Sequence, residues 1–443
     1  MKFFVSATAI VTLLLTGCAN DDSSDNTATE TTTLTYHADI APIIQAECTS
    51  CHSPDNIGPF DLTNLANVQQ YSAAIAQSIR SGSMPPMPAK DDNCREIDDE
   101  RIMETADKRK VLDWIDAGMP AGDPATATAL VEDNSDDFLV TQEVDMGVDY
   151  AGSPTGDGYD EFRCFVIDPE WTESKHLKGL GVAPGTRSVV HHITVYLQLP
   201  NQKDAVDALD AADAGPGYDC PTGPGFTNNM FIAGYAPGAS NKPFPNGSTI
   251  SLPAETRFVM QLHYNFAYDS APDNSSMLFW EVDEPAPISP RGLTLVNNDF
   301  YIPAGAPHHQ VQNHSYIIAP EEEDSVPDFA SPIFEREGLI WGASAHLHTR
   351  GKSARIDLIR ADGTEECLLD IPEWDFNWQG SYRFKEPVRA NAGDKVRITC
   401  SWDNSAGNQP IVDGQPMEPR DIQWGDSTFD EMCLGGVSMT DEN

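Results

Sequence analysis

The spacing of apolar residues divides the chain into a short helical part and a long part made of strands. Between residues 35 and 123 apolar side chains recur at helical intervals. They form three groups: Ile40, Ile43 and Ile44; Val68, Tyr71, Ile75 and Ile79; and Met103, Ala106, Val111, Trp114 and Ile115. Gly82 closes the second group, and Gly118 with Pro120 closes the third. From about residue 135 onward apolar and polar residues alternate, with frequent glycine and proline between the runs. This pattern predicts a small all-α domain followed by antiparallel β-sandwich structure.

The length, composition and net charge of the chain exclude several classes of protein. At 443 residues the chain has room for about three domains. With 40% hydrophobic and 22% charged residues it is neither fibrous nor wholly disordered. The formal net charge of −42 argues against a nucleic-acid partner, because such a surface repels phosphate. It favours cationic partners and metal ions instead.

The N-terminus has the pattern of an export signal. Lys2 precedes an apolar run over 3–15, and the run ends in Leu15-Thr16-Gly17-Cys18, which resembles a bacterial lipobox. We expect residues 1–17 to be removed and Cys18 to be lipidated; the alternative is an ordinary signal with an incidental cysteine. Residues 18–34 are polar and acidic, which predicts a flexible tether. We therefore expect a protein of the bacterial envelope, lipid-anchored at the outer membrane and facing the periplasm or the cell surface, where cysteines can pair.

The helical part contains the sequence Cys48-Thr49-Ser50-Cys51-His52, the pattern of covalent haem attachment. Two thiols add to the haem vinyl groups and the adjacent imidazole reaches the iron. A redox Cys-x-x-Cys or half of a zinc site is the alternative interpretation. Residues 35–123 resemble class I cytochrome c domains, whose second iron ligand is usually a methionine after the second helix. That resemblance favours Met84 over Met87, with His37 a weaker candidate, and a methionine ligand suits electron transfer.

Several histidines lie on the polar side of predicted strands. In the run 257–266 the apolar positions are even-numbered, which leaves His263 on the opposite face. His346 and His348 likewise alternate with the apolar residues of 340–349, so both rings leave one face of one strand. We expect these side chains to face solvent, in a cleft between two sandwiches.

His191 and His192 are neighbours at the start of an apolar strand, and regular strand geometry sends them to opposite faces. They would bind one metal ion only if the backbone bulges there or the rings use different nitrogens. The alternative for each histidine pair is surface residues without a ligand. His176, His308, His309 and His314 are expected to be surface residues, the last three in a loop.

These motifs occur in the order found in copper type II, ascorbate-dependent monooxygenases, the family of dopamine β-monooxygenase and peptidylglycine α-hydroxylating monooxygenase. The resemblance covers about residues 135–443. It is carried by Val190-His191-His192, Gln261-Leu262-His263-Tyr264-Asn265, Ala345-His346-Leu347-His348-Thr349-Arg350-Gly351, Asp375-Phe376-Asn377-Trp378-Gln379, residues 393–400 and Asp430-Glu431-Met432-Cys433. It implies two jelly-roll-like β-sandwich domains, here over 124–285 and 286–443, with one copper ion each.

The resemblance also implies a role for each ligand. His191, His192 and His263 would hold the electron-transfer copper, and His346, His348 and Met432 the copper that binds dioxygen and acts in catalysis. Imidazole suits both copper oxidation states, and a thioether favours Cu(I). Taken without the family, Met432 is better explained as a core methionine than as a ligand. Family disulfides map onto Cys164–Cys220 and Cys400–Cys433, whereas Cys94 and Cys367 either pair across domains or stay free.

We therefore expect an enzyme that hydroxylates a C–H bond of a small molecule or peptide with dioxygen. Its electrons would come through the fused haem c domain from a periplasmic donor, from ascorbate, or from both. The alternative is a copper-binding redox lipoprotein for storage, sensing or electron transfer, without hydroxylase activity.

Overall fold

The computed structural model describes residues 33–54, 56, 58–90, 94–98, 102–127, 138–153, 159–221, 223–237, 239–266, 269–313, 337–376, 378–412, 415–425 and 427–441. The expectations for the signal peptide, for Cys18 and for His314 lie outside the described residues. Within these ranges no helix is long and apolar enough to cross a lipid bilayer.

The helices lie mainly before residue 117. A π-helical turn, Tyr36–Ile40, runs into α1 Ala41–Glu47, followed by α2 Leu65–Gln70, α3 Ser72–Ser81 and α4 Thr105–Asp116; α5 Lys203–Ala212 lies later in the chain. Short 3-10 turns occupy Pro124–Thr126, Pro200–Gln202, Pro245–Gly247 and Ala406–Asn408. Gly82 ends α3 in the left-handed conformation (φ 75°), where its lack of a Cβ removes the strain.

The first four helices share a hydrophobic cluster of their own. Its buried members come from each predicted helical group, with Ile40, Val68 and Trp114 almost completely buried. The three expected helices are therefore present, with the second broken at Tyr71.

The next part of the chain forms a first β-sandwich. Its strands are β1 Gln142–Asp145, β2 Asp160–Ile167, β3 Lys175–Ala183, β4 Val190–Gln198, β5 Tyr218–Asp219, β6 Met230–Tyr235, β7 Ile250–Leu252, β8 Arg257–Asn265 and β9 Ser276–Val282. They form two antiparallel sheets, in the orders β1-β9-β3-β7 and β5-β2-β8-β4-β6. Apolar residues of both sheets share one cluster, which includes Leu180, Phe279, Val195 and Leu262.

The C-terminal part forms a second β-sandwich. Its strands are β10 Pro290–Val296, β11 Tyr301–Ile302, β12 His309–Asn313, β13 Gly338–His346, β14 Gly351–Ile359, β15 Glu365–Ile371, β16 Ser381–Ala390, β17 Lys395–Trp402, β18 Ile411–Val412, β19 Gln415–Pro416, β20 Ile422–Gln423 and β21 Leu434–Asp441. The main sheets have the orders β10-β21-β13-β16 and β12-β17-β14-β15. His309 belongs to β12 and is paired with Trp402. The expectation of a loop at 308–314 is therefore wrong for residues 309–313. The prediction of β-sandwich structure is confirmed.

A segment of the helical part packs onto the second sandwich. Residues 87–90 and 94–98, here called the docking segment, contribute Met87, Ala89 and Ile97 to the core of that sandwich. The backbone N–H of Lys385 donates to the carbonyl of Glu96 at 3.0 Å. Cys94 and Cys367 form a disulfide bond, which settles the alternative that the sequence left open.

Candidate metal centres

Three histidine rings converge on the first sandwich where β4 pairs with β8. The register runs from Val190 opposite Tyr264 to His192 opposite His263, so His191 is an extra residue in β4. This bulge turns His191 and His192 toward the same place, and it is the first of the two arrangements that could bring them to one metal. The three Nδ1 atoms lie 3.2, 3.2 and 3.4 Å apart. We call His191, His192 and His263 the imidazole triad.

The geometry of the imidazole triad fits one metal ion. A point equidistant from nitrogens at these separations lies about 1.9 Å from each, close to the ~2.0 Å of a metal–imidazole bond. Asp160 accepts a hydrogen bond from Nε2 of His263 at 2.9 Å, which leaves the Nδ1 lone pair of that ring free for a ligand. Burial, and secondarily the neighbouring His263, lowers the pKa of His191 to about 3, so its ring is neutral. Three imidazoles that converge in this way are a donor set that copper and zinc accept.

The imidazole triad is buried, although it lies outside the hydrophobic core. His263 and the apolar residue Leu262 are neighbours in β8, so their side chains leave opposite faces of that strand. His263 nevertheless has a relative exposure of only 1%. Phe162 stacks on His263 with ring centroids 4.1 Å apart, and Phe376 of the second sandwich stacks on His191 at 5.8 Å. The expectation that these rings face solvent is therefore wrong, because Phe162 of the same sandwich covers His263 and Phe376 of the other sandwich covers His191.

A second pair of histidines lies at the end of β13. His346 is the last residue of the strand and His348 follows two positions later, with ring centroids 5.1 Å apart and planes at 89°. Nδ1 of His346 donates to Oε1 of Gln379 at 2.5 Å, which leaves Nε2 as its free lone pair. Nδ1 of His348 is buried and has no hydrogen-bond partner among the residues that the structure describes. Such an orphaned nitrogen is what a missing ligand would satisfy. We call His346 and His348 the imidazole pair.

Burial also keeps the imidazole pair neutral. It lowers the pKa of His346, and it lowers that of His348 to about 3 with a smaller contribution from the neighbouring His346. Neutral rings retain the lone pairs that a metal ion needs.

Met432 lies two residues before β21, the strand that pairs with β13. His346 lies opposite Leu434 in the β13–β21 ladder, and continuing that antiparallel register would set Met432 opposite His348. Cys433 forms the expected disulfide with Cys400, and Cys164 forms the expected one with Cys220. Both pairings of the family are confirmed.

Glu431, the residue before Met432, binds the backbone of the residues that follow β13. Its carboxylate accepts the backbone N–H groups of His348 at 2.9 Å and Arg350 at 2.6 Å, and Nε1–H of Trp402 at 2.8 Å. Burial raises the pKa of Glu431 to about 7, although these hydrogen bonds act in the opposite direction.

Sequence reasoning assigned no role to Asp160, Phe376, Gln379 and Glu431, although they contact the histidines or the loop that carries them. Phe376, Gln379 and Glu431 lie in motifs that resemble family sequence, so their position in those motifs could have indicated a role at the site. Asp160 has no comparable signal, since it is one of 69 acidic residues and only the β2–β8 pairing brings it to His263. His176 has an ordinary hydroxyl partner, Ser251, at 2.7 Å.

The Cys-x-x-Cys-His motif begins just after α1. Cys48 and Cys51 are free thiols, and burial raises the pKa of Cys48 to about 12, assisted by Glu47 and Cys51. Nδ1 of His52 donates to the carbonyl of Phe60 at 3.1 Å, so its Nε2 lone pair is available to an iron ion.

The axial-ligand candidates lie in different surroundings. Met84 is partly buried and follows α3, whereas Met87 is buried in the core of the second sandwich. The ring of His37 packs edge-on against Tyr36.

Comparison with known proteins reveals a distant relationship. No protein-family model matches the chain. DBH-like monooxygenase protein 1 of Homo sapiens is 26% identical over 265 residues, which cover 56% of this chain and 39% of that protein. The Mus musculus protein of the same name is 24% identical over 285 residues, covering 60% and 42%. The chain thus spans about two fifths of the length of these relatives. The similarity supports a relation to the DBH-like monooxygenases.

Solved structures add no further assignment. The empty particle of cowpea mosaic virus top component has a TM-score of 0.24 and 9% identity, covering 67% of this chain and 93% of that chain. Allantoicase has a TM-score of 0.17 and 12% identity, covering 62% and 80%. These values are too low to assign a fold.

Proposed function

We propose that this chain is a copper-dependent monooxygenase that hydroxylates a C–H bond of an organic substrate with dioxygen. The observation that carries the proposal is the imidazole triad, whose three Nδ1 atoms surround one point at metal-bonding distance. The relation to the DBH-like monooxygenases supports the reaction class. Copper ions held by these side chains would supply the one-electron chemistry that activates dioxygen.

The residues divide into two ligand sets. The imidazole triad would hold one ion through three Nδ1 atoms, with Asp160 fixing the tautomer of His263. The imidazole pair and Met432 would hold the other, with Gln379 fixing the tautomer of His346. Glu431 would keep His348 and Met432 close to each other, because its carboxylate accepts the backbone N–H of His348 and Met432 is the next residue in the chain. Burial of the rings excludes bulk water from the reaction.

The helical part would serve as the electron entry of the enzyme. Haem c, attached through Cys48 and Cys51 and bound by His52, would supply single electrons, with Met84 as the second ligand. The donor set fits, because the Phe60 carbonyl leaves Nε2 of His52 free and both thiols are unpaired. Packing of Met87 in the second sandwich favours Met84 over Met87.

The motif lies near the strands that carry the imidazole triad. Burial raises the pKa of Tyr235, Arg187 lowers it in part, and the Cys51 thiol raises it further, so Cys51 lies within electrostatic reach of that ring. Tyr235 pairs with Ile193, the residue after His192 in β4. The proximity of Cys51 to Tyr235 of β6, the strand that pairs with β4, supports delivery of electrons from the helical part to the imidazole triad. Ascorbate would be an additional reductant.

The cellular setting is part of the same proposal. Lipidation at Cys18 would hold the enzyme at the outer membrane of a bacterium, where a periplasmic donor recharges it. The net charge of −42 would attract a cationic donor.

Product analysis with isotopically labelled dioxygen tests the activity. The copper-loaded, reduced protein should consume oxygen and place one labelled atom in a product found by mass spectrometry. The double variant His346→Ala, His348→Ala should bind less copper and form no such product. A copper-storing or copper-sensing protein would bind the metal without consuming oxygen, and that result would overturn the enzymatic assignment.

The copper content of His263→Ala tests the ligand sets. This variant should lose one ion and keep the other, because the imidazole pair lies on a different sandwich. Loss of both ions on this single change, in a protein with unaltered circular dichroism, would contradict two separate sets.

A further inference from the structure

One aromatic side chain contacts both histidine groups. Phe376 stacks on His191 with ring centroids 5.8 Å apart and planes at 22°. The same ring meets His348 edge-on, with centroids 6.3 Å apart and planes at 84°. The imidazole triad belongs to the first sandwich, whereas Phe376 and His348 belong to the second. Phe376 therefore forms a direct packing contact from one candidate metal centre to the other.

A hydrogen-bonded side chain extends this contact to His346. Nε2 of Gln379 donates to the carbonyl of Phe376 at 2.8 Å, and Oε1 of Gln379 accepts from Nδ1 of His346 at 2.5 Å. The position of Gln379 thus depends on the backbone of Phe376, and the ring orientation of His346 depends on Gln379. We call these two residues the Phe376–Gln379 link.

The imidazole triad has a reason to change shape when it loses a metal ion. Its three Nδ1 atoms lie within 3.4 Å of one another, and three lone pairs that face one point form no hydrogen bonds with each other, so this arrangement is satisfied only around a cation. Without an ion at least one ring is expected to rotate or to move its proton to Nδ1. A rotation of His191 would remove the surface on which Phe376 stacks. The link lies in the irregular segment between β15 and β16, so no strand ladder holds it in place.

We propose that the Phe376–Gln379 link couples the two metal centres, so that occupation of the imidazole triad strengthens metal binding by the imidazole pair. The inference rests on the proposed copper ligation and extends it to regulation of the same site. With the triad filled, His191 supports Phe376, Phe376 positions Gln379, and Gln379 orients His346 with Nε2 toward the ligand. Coupling of this kind is reciprocal, since each site must strengthen the other by the same factor.

The coupling factor is measured with Cu(I) alone. A chromophoric chelator competes for the metal, which gives the overall two-ion binding constant of the wild type. His263→Ala reports the imidazole pair alone, and His346→Ala, His348→Ala reports the imidazole triad alone. The coupling factor is the two-ion constant divided by the product of the single-site constants. We expect a factor of about 5 or more in the wild type.

Phe376→Leu should bring this factor close to one, because leucine cannot stack on His191 and meet His348 at once. Phe162→Leu is the matched control: Phe162 stacks on His263 with centroids 4.1 Å apart and meets His192 edge-on, and within the described part of the chain its ring contacts only these two rings. This control should change the Cu(I) affinity of the imidazole triad and leave the coupling factor unchanged. Gln379→Ala breaks the link at its other end and should also bring the factor close to one, so the test does not depend on a single variant. Thermal unfolding shows that each variant is folded.

Each outcome decides the proposal. A wild-type factor of one, or an unchanged factor in folded Phe376→Leu and Gln379→Ala proteins, overturns the coupling while leaving the proposed enzyme intact. A factor above one that both link variants abolish supports the coupling, even if no oxygenated product is found and the enzymatic proposal fails. Absence of Cu(I) binding at both groups would overturn the two proposals together.

Discussion

In His263, His346 and His52 a hydrogen bond to one ring nitrogen decides which nitrogen is left for a ligand. Asp160 accepts from Nε2 of His263, so Nδ1 is free in the imidazole triad. Gln379 accepts from Nδ1 of His346, so Nε2 is free in the imidazole pair. The Phe60 carbonyl accepts from Nδ1 of His52, with the same result at the haem-attachment motif. Ring orientation at each centre is therefore determined by a neighbour that is not itself a ligand.

The first prediction concerns Asp160. Asp160→Ala should weaken copper binding by the imidazole triad about 10–100-fold, because His263 loses the partner that fixes its tautomer. The imidazole pair is unaltered in this variant. Its copper affinity, measured by the same chelator competition, should change far less. Asp160→Asn is the control, since its amide oxygen can still accept from Nε2. An equal loss at both sites would show that Asp160 acts through folding instead.

At the scale of elements, the ligands lie where regular strand geometry stops. The bulge at His191 turns two adjacent side chains to one side of β4. His348 lies just beyond the end of β13, where Glu431 binds the backbone N–H groups of His348 and Arg350. Irregular backbone needs partners for its polar groups, and a buried carboxylate provides them here.

The second prediction concerns this anchor. Glu431→Ala leaves buried N–H groups of His348, Arg350 and Trp402 without an acceptor, which should lower the free energy of unfolding by roughly 3 kcal/mol or more. Urea denaturation of the copper-free protein measures the loss. Glu431→Gln keeps one acceptor oxygen and should lose less. If alanine and glutamine cost the same, the hydrogen bonds are not the source of the stability.

At the scale of the whole molecule, the helical part is fastened to the second sandwich at several points. The docking segment adds three apolar side chains to that core, and the Cys94–Cys367 disulfide closes a separation of 273 residues. Arg95 also pairs with Glu366 at 2.5 Å. These contacts fasten the docking segment, which follows Met84, to the second sandwich.

The third prediction tests the docking segment. The double variant Cys94→Ser, Cys367→Ser should lose about 2–4 kcal/mol of stability. Hydrogen exchange over 381–390 should accelerate, since Lys385 donates its N–H to Glu96. Serine replacement of Cys164 and Cys220, a disulfide within the first sandwich, should leave exchange over 381–390 unchanged. Unaltered exchange in the Cys94/Cys367 variant would show that packing alone holds the segment.

The fourth prediction concerns electron delivery. A covalently linked donor has a high effective concentration at its acceptor, and a net charge of −42 repels anionic ascorbate at low salt. Reduced haem should therefore be oxidised quickly only when copper and oxygen are both present, as followed by stopped-flow absorbance. Cys48→Ala with Cys51→Ala should keep both copper ions, lose turnover driven by a cytochrome-type donor and retain turnover with ascorbate. Equally fast haem oxidation without copper would refute this route.

Local patterns were sufficient for much of this molecule. Helical spacing located the first helices, and alternation located the strands and the face of β8 that carries His263. Both depend on side-chain direction along one element, which the sequence of that element specifies. Resemblance to a known family supplied two disulfide pairings that no local pattern contains.

Contacts between distant elements were decided only by the tertiary structure. Phe376, which covers His191, is 185 residues away from it in the chain. The acceptor for His263 is one of many acidic residues, selected by the pairing of β2 with β8. The bulge at His191 and the Cys94–Cys367 pairing likewise follow from register and docking. The sequence determined which face of β8 and of β13 carries the histidines, and packing within and between the sandwiches determined what covers that face, because burial is a property of the assembled surfaces.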